Sequence, residues 1–380
     1  MRILIAAGGT GGHIYPALAV ARSLRERTPE IDLRWLGGQR GLEARIVGAA
    51  GLPVDRLWLR SLRTVDLSLH SVLDPLRLLA SIPQAVALLL RRRPQAIFTT
   101  GGYVAIPVLV AAALLRVPTV MWEGNKVAGR SVRATARLAG ALAVSFAETC
   151  AQLPGRCWVT GTPIRSFEGL TVESARRALG LPVDRRCLLV FGGSQAVRRL
   201  NEAVAAALPE LVERHSVVHV CGEAGYAGAL RRREALPAEL RPAYRPFTFI
   251  NHEMAAALVA ADLIVGRAGS STLAEATALG RPIVVVPYPH AGGHQLANAR
   301  LLEQAGAALV VPDEDFDADA LRRAAALLDQ DEVLAGMQAA SRQLGRPGAA
   351  GAVAELVLAL AERRAPPSEA HIEKLSRAAA

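Results

Sequence analysis

The chain has 380 residues, 51% of them hydrophobic and 21% charged. That is enough for two or three domains with sizeable cores and lies outside the composition of disordered chains. Only Lys126 and Lys374 are lysines, so there is no GK[ST] Walker A motif, and a pyridoxal-phosphate Schiff base is disfavoured.

The four cysteines, Cys150, Cys157, Cys187 and Cys221, show no CxxC spacing. Neither a disulfide framework nor a zinc knuckle is expected, which fits a reducing cytoplasm. The N-terminal MRILIAAGGTGGH lacks the shape of a signal peptide. The apolar stretch 104–115 contains Pro107 and is too short to span a bilayer, so no transmembrane helix is expected. The net charge is +10, and it is uneven: residues 1–163 hold 20 basic and 9 acidic side chains, residues 164–380 hold 24 and 25. A basic half beside a neutral half points to an anionic partner: a membrane, a phosphate ligand or a nucleic acid. With only 4% aromatic residues and no basic–aromatic interleaving, stacking platforms are scarce, and no nucleic acid is expected.

In chain order, 2–7 reads as an apolar strand running into GGTGG, with a helix over 15–27. Strands follow at 31–36 and 54–59, a long helix at 73–93, and strands at 96–99, 119–122 and 142–145. The pattern restarts at strand 187–191, which ends in Gly192, Gly193, Ser194 and Gln195 before a helix through 211. Later strands are 217–221, 263–266, 283–287 and 308–311. Alternation of this kind predicts parallel, helix-covered sheets. The fold class is α/β: two Rossmann-like domains, 1–163 and 164–345, with a ligand cleft expected between them. A helix over about 346–364 is expected to pack back on the first domain, and 365–380 to be a flexible tail.

Five sites carry candidate chemistry. Gly8-Gly9-Thr10-Gly11-Gly12-His13 follows a strand and opens a helix; it suits close approach of an anion to a helix N-terminus. It is not the GxGxxG fingerprint of dinucleotide folds. Gly101-Gly102-Tyr103 and Gly192-Gly193-Ser194-Gln195 repeat the device. Ser270, Ser271 and Thr272 sit at a helix start after strand 263–266, as an anion cradle. Glu275, one turn on, is placed either for sugar hydroxyls or for a capping box with Thr272. The run His290 to Gln295 offers imidazole and amide groups to a sugar; no carboxylate or cysteine nearby completes a metal site. The acidic run 313–319 (DEDFDAD) reads as charge at a helix start.

These stretches together resemble one family. GGTGGHIYPALA (8–19), GGYVAIP (101–107), GGSQ (192–195), GSSTLAEATALGRP (269–282) and HQLANA (294–299) are similar, in order, to the bacterial transferases that add N-acetylglucosamine to lipid I to make lipid II for peptidoglycan. The resemblance implies the GT-B architecture and inverting transfer from UDP-N-acetylglucosamine with no metal or cofactor. It implies that Ser194, Ser270, Ser271 and Thr272 hold the donor diphosphate, that Glu275 bonds the ribose, that the Ile250 backbone meets uracil and that Gln295 reads the sugar. Thr10, Gly11, Gly12 and Asn125 match donor-contacting positions, and Arg165 a linker arginine near the diphosphate. The family commonly has His-Glu-Gln-Asn where this chain has Trp122-Glu123-Gly124-Asn125, and GGSQGA where this chain has GGSQAV.

The reaction needs a base for the acceptor C4 hydroxyl. His13 is the first candidate and Glu123 the second; His13 has an alternative role in binding the acceptor pyrophosphate. The acceptor lipid implies a peripheral enzyme on the cytoplasmic face of the bacterial membrane. Partners would be UDP-N-acetylglucosamine, lipid I, anionic inner-leaflet lipids and a cell-wall synthesis complex. Helix 73–93, with Leu76, Leu79, Ile82, Arg91, Arg92 and Arg93, is the candidate membrane face, the alternative being a core helix with a basic end. An NAD-dependent oxidoreductase and another UDP-sugar enzyme, such as a diacylglycerol glycosyltransferase or a UDP-N-acetylglucosamine 2-epimerase, are the rival readings.

Overall fold

The computed structural model describes residues 1–39, 43–59, 69–192, 198–250, 253–289 and 293–378, with the backbone alone for 43–45 and 69–73. Ser194 and His290 lie outside the described residues. The chain divides into two compact units, Met1–Arg165 with Arg346–Ala379, and Ser166–Gly345.

The first unit holds β1 (Arg2–Ala6), β2 (Asp32–Gly37), β3 (Val54–Arg56), β4 (Ala96–Thr99), β5 (Thr119–Glu123), β6 (Ala141–Val144) and β7 (Cys157–Val159). The second holds β8 (Cys187–Phe191), β9 (Ser216–Val220), β10 (Tyr244–Phe247), β11 (Leu263–Gly266), β12 (Ile283–Val285) and β13 (Ala308–Val310). All pairings are parallel: Ile3 aligns with Leu33 and Ala96, and Leu189 with Val218 and Ile264. Helices cover both faces of such sheets, so central strands read as unbroken apolar runs. RILIA, AIFT, CLLVF and LIVG have that form and are almost wholly buried.

The order is β3-β2-β1-β4-β5-β6-β7 in one sheet and β10-β9-β8-β11-β12-β13 in the other. In each, the third, second and first strands run outward to one side and the fourth, fifth and sixth to the other. The direction of winding therefore reverses between β1 and β4, and again between β8 and β11. Ligands of open α/β sheets bind beyond the carboxyl ends of the strands at that reversal.

Strands β7 and β10 were not expected from the sequence. Both are edge strands, paired on one side only, and neither carries a long apolar run. Pro246 in β10 is tolerated because an edge strand can spare a ladder donor.

Residues 365–380, expected as a flexible tail, include a helix, Glu369–Arg377, whose N-cap Ser368 accepts from the His371 N–H. Ile372 is fully buried in the core of the first unit, worth about 1.5–3 kcal/mol. The Trp158 indole N–H donates to the Pro367 carbonyl at 3.0 Å. Arg346 donates to Val159 O and Ser376 Oγ. At Gly348 a Cβ would fall 2.1 Å from the Leu375 carbonyl, so only glycine permits this contact. Helix Ala349–Ala361 packs against helix Gly11–Arg27 and strands β4 and β5.

Among the described residues one stretch, Asp331–Ala361, is long and apolar enough to cross a membrane. It is two helices, ending at Leu344 and restarting at Ala349. The second lies in the core, with Val353, Leu356 and Val357 fully buried.

A further departure concerns the cysteines. Cys150, closing the short helix Ala147–Cys150, and Cys157, opening β7, form a disulfide. The spacing gave no sign of it, because a turn between a helix end and an edge strand brings the two together.

Candidate active site

In the first unit the loops after β1 and β4 meet at the reversal point. Thr10 is the N-cap of helix Gly11–Arg27 in extended conformation, and its side chain makes no capping bond. It is exposed, as is Gly12. The first-turn N–H groups of this helix thus have no side-chain acceptor from the N-cap, and that end of the helix dipole favours an anion.

His13 lies in the same turn, half-buried. Its Nδ1 is 2.8 Å from the Thr100 carbonyl, and Thr100 Oγ1 donates back to the His13 carbonyl at 3.2 Å. A carbonyl only accepts, so Nδ1 carries the proton and Nε2 presents a lone pair. Gly102 has φ +74° and a Cβ there would sit 3.6 Å from Nε2. The glycine therefore both permits the left-handed turn and leaves space beside the free nitrogen. Burial pushes the His13 pKa below its ordinary value, only partly opposed by the Thr100 carbonyl and the Glu123 charge. The imidazole is neutral at neutral pH and able to accept a proton.

Glu123 ends β5, buried, and its carboxylate is fully engaged. Oε1 accepts from the Asn125 N–H at 2.9 Å and from Asn125 Nδ2 at 3.0 Å; Oε2 accepts from the Gly129 N–H at 2.8 Å. This arrangement makes Glu123 the anchor of the Asn125 loop. Trp122, which stands where the family commonly has histidine, is buried and donates to Gly161 O at 3.0 Å. Arg165 lays its guanidinium 5.6 Å from the Tyr15 ring centre, and Tyr15 packs beside Gly11. The arginine is thus placed next to the glycine turn of its own unit.

In the second unit the helix Ser270–Ala278 starts after β11 with Gly269 as N-cap and no side-chain capping bond. Thr272 is therefore inside the helix and forms no capping box with Glu275. Ser271 Oγ is covered and has no hydrogen-bond partner among the described residues; a buried hydroxyl without a partner is costly unless a ligand supplies one. Glu275 is buried one turn further. Ile250 is buried just beyond β10. Gln295, in the first turn of helix His294–Gln304, accepts from the Tyr288 N–H at 2.9 Å. That bond fixes its carbonyl and leaves its amide nitrogen to reach a ligand.

Sequence reasoning missed Arg267. It is buried between β11 and the helix, 2.5 Å from Asp313, 3.0 Å from Val286 O, and 5.7 Å from the Tyr288 ring centre. It ties together the turns after β11 and β12. An isolated arginine carries no motif, and its partner lies 46 positions away. The acidic run that holds Asp313 is otherwise engaged too: Asp317 caps helix Ala318–Ala325 and Asp319 pairs with Arg322 at 2.6 Å. Among the described residues no group of three or more His, Cys, Asp or Glu side chains could hold a metal ion.

Two parallel-sheet units with the same strand order, each with glycine-rich turns at its reversal point, define a GT-B glycosyltransferase. The glycosyltransferase family 28 N-terminal domain matches residues 3–144, and the family 28 C-terminal domain matches residues 187–353. The UDP-N-acetylglucosamine--N-acetylmuramyl-(pentapeptide) pyrophosphoryl-undecaprenol N-acetylglucosamine transferase of Desulforudis audaxviator is 40% identical over 370 residues, 95% of this chain and 99% of that protein. The same-named protein of Moorella thermoacetica is 38% identical over 95% of this chain and 100% of its own length. The crystal structure of Acinetobacter baumannii MurG superposes with a TM-score of 0.72 at 29% identity, covering 94% of this chain and 99% of that one. The chain belongs to glycosyltransferase family 28 and, within it, groups with these N-acetylglucosamine transferases. A Listeria monocytogenes putative UDP-N-acetylglucosamine 2-epimerase superposes at 0.68 but at 14% identity, a likeness of fold alone.

Proposed function

We propose that the chain transfers N-acetylglucosamine from UDP-N-acetylglucosamine to the C4 hydroxyl of the muramyl sugar of lipid I, with inversion, to give lipid II for peptidoglycan. The names of the relatives support the substrates. The observation that carries the chemistry is the fixed tautomer of His13: Nδ1–H is held by the Thr100 carbonyl, and neutral Nε2 faces the space beside Gly102.

In this reading Nε2 takes the proton of the C4 hydroxyl as its oxygen attacks C1 of N-acetylglucosamine, and uridine diphosphate leaves from the opposite face. Negative charge then grows on the diphosphate. The open start of helix Ser270–Ala278 and the Ser270, Ser271 and Thr272 hydroxyls stabilise it, and the family resemblance adds Ser194 and Arg165. Glu275 bonds the ribose, the Ile250 backbone meets uracil, and the Gln295 amide nitrogen binds a sugar hydroxyl. Thr10, Gly11, Gly12 and Asn125 complete the donor contacts. The test is transfer of labelled sugar to a lipid I analogue, with diacylglycerol and an acceptor-free mixture as controls. Label on diacylglycerol, or epimerised sugar without acceptor, would refute the assignment.

Peripheral attachment to the cytoplasmic leaflet belongs to the same reading. Helix Leu69–Arg92 buries Ser81, Ala85 and Leu89 and packs against helix Gly102–Leu115. Its opposite side exposes Leu76 (58%), Leu79 (63%), Pro83, Ala87 and Leu90, at i, i+3, i+7, i+11 and i+14, which is one helical stripe. Trp58 (59% exposed) is beside it, its N–H bonded to Gln84. Arg91 and Arg93 are exposed at the end, whereas Arg92 is spent on Asp55, and Ile82 is half-buried on the flank. An apolar stripe with basic residues at its end suits a bilayer interface carrying anionic lipid. Co-sedimentation with vesicles containing phosphatidylglycerol should fall strongly in Leu76→Glu/Leu79→Glu; binding unchanged by the substitutions and by salt would remove the membrane reading.

A further inference from the structure

The disulfide stands where the sheet edge meets the Asn125 loop. Cys150 and Cys157 are seven positions apart with Cα atoms 5.7 Å apart. Both are half-buried and line a cavity of about 700 Å³ with Arg156, Trp158 and Glu369, so a small reagent can reach them.

The residues beside Cys150 are clamps. Thr149 Oγ1 donates to the carbonyls of Asn125 at 3.0 Å and Lys126 at 3.2 Å. Gln152 Nε2 donates to the Lys126 carbonyl at 2.7 Å, and Gln152 Oε1 accepts from the Ala128 N–H at 3.1 Å. The 125–128 loop is thus gripped from one side by Glu123 and from the other by the segment that Cys150 ties to β7. Opening the bond would remove the covalent tie of that second grip to β7, leaving it held by the chain on either side and by the packing of Leu153 in the core. The remaining cysteines take no part: Cys187 and Cys221 are buried, and burial pushes both thiols up, Cys187 to about 12.

We propose that Cys150 and Cys157 form a reversible dithiol–disulfide site whose oxidation state sets how firmly the Asn125 loop is held. The co-reactant is a small-molecule disulfide. One cysteine thiolate attacks a sulfur of that disulfide, forming a mixed disulfide and expelling one thiolate. The second cysteine thiolate attacks the protein sulfur, closing the Cys150–Cys157 bond and expelling the other. Two electrons pass from the protein to the reagent, and the two protons lost by the cysteines end on the two released thiols. The consequence for catalysis rests on the reading of Asn125 as a donor contact.

The test uses the full-length chain equilibrated in buffers of graded glutathione to glutathione-disulfide ratio. Acid quenching, thiol alkylation and peptide mass mapping count free Cys150 and Cys157. Amide hydrogen exchange at 126–129 and the donor KM are read on the same samples. The two thiols should vanish together as the ratio falls. On reduction, exchange at 126–129 and the donor KM should each rise at least about fivefold, the lower end of coupling between linked sites. The variant Cys150→Ser/Cys157→Ser should match the reduced protein at every ratio, and chemical reduction of the unmodified chain gives the same reading should the variant not fold. Two free thiols at every ratio, or identical exchange in both states, overturns the proposal. A change in exchange with unchanged KM upholds the redox link and removes Asn125 from the donor site.

Discussion

The two units repeat one strand order but equip their reversal points differently. In the first, the candidate side chains are held by other groups: His13 by the Thr100 carbonyl, Asn125 by the Glu123 carboxylate. In the second, the helix at Ser270 begins without a side-chain cap, and Ser271 Oγ has no hydrogen-bond partner among the described residues. In the proposed reading one scaffold serves two tasks. Side chains that move protons must be fixed in tautomer and direction, whereas a diphosphate is bound by backbone N–H groups that the helix already aligns.

Four experiments would break or sharpen that contrast. The largest effect is expected for His13→Ala, a fall in turnover of about 10²–10⁴-fold with donor affinity nearly unchanged by calorimetry. Near-normal turnover would take the base role from the first unit. Next comes Ser271→Ala. Losing a hydrogen bond to a charged group costs about 1.5–3 kcal/mol, or roughly ten- to hundredfold weaker uridine diphosphate binding, and turnover at saturation should fall as well, because charge on the leaving diphosphate grows in the transition state. Unchanged uridine diphosphate binding would take Ser271 out of the diphosphate site.

Glu123→Gln separates anchor from base. A glutamine keeps one acceptor and turns an NH₂ toward the Gly129 N–H. The donor KM should rise about tenfold, the scale of one lost buried hydrogen bond, and the acid limb of the pH–rate profile should stay. Disappearance of that limb would restore Glu123 as the base. The limb itself should lie below pH 6.5, the unperturbed histidine value, because His13 is shifted down and stays neutral on acidification.

The fourth experiment reads stability instead of activity. His219 is buried in the second unit, its Nε2–H donating to Asn201 Oδ1 and its Nδ1 accepting from Tyr244 Oη, both at 2.9 Å. Burial pushes its pKa down to about 3. Below pH 6.5 the unfolded chain takes up a proton that the folded chain refuses. Its contribution to stability is therefore whole above pH 6.5 and declines by about 1.4 kcal/mol per unit from there toward pH 3. Denaturant midpoints across that range should lose this slope in His219→Gln; an unchanged slope would place the acid sensitivity in other groups, such as His13 or His215.

How far the sequence was legible depended on where each element sits. Strands β4, β8 and β11 were bounded to the residue, since a strand flanked on both sides must be apolar throughout. Edge strands β7 and β10 left no such trace, nor did the helix Glu369–Arg377, whose docking rests on Ile372 and the backbone contact at Gly348. The glycine turns could be read directly, because close approach to a backbone depends on those residues in local order. Arg267 and the Cys150–Cys157 bond could not, since each joins positions whose nearness is a product of folding.

The sequence by itself determined the doubled parallel-sheet plan and the positions of the glycine turns, because hydrophobic periodicity and backbone freedom act over a few neighbouring residues. Only the tertiary structure decided which imidazole nitrogen of His13 is free, that the Glu123 carboxylate anchors the Asn125 loop, and that the C-terminal segment belongs to the first unit. Those outcomes depend on which carbonyls, N–H groups and buried surfaces meet across long stretches of chain, and local pattern carries no record of such meetings.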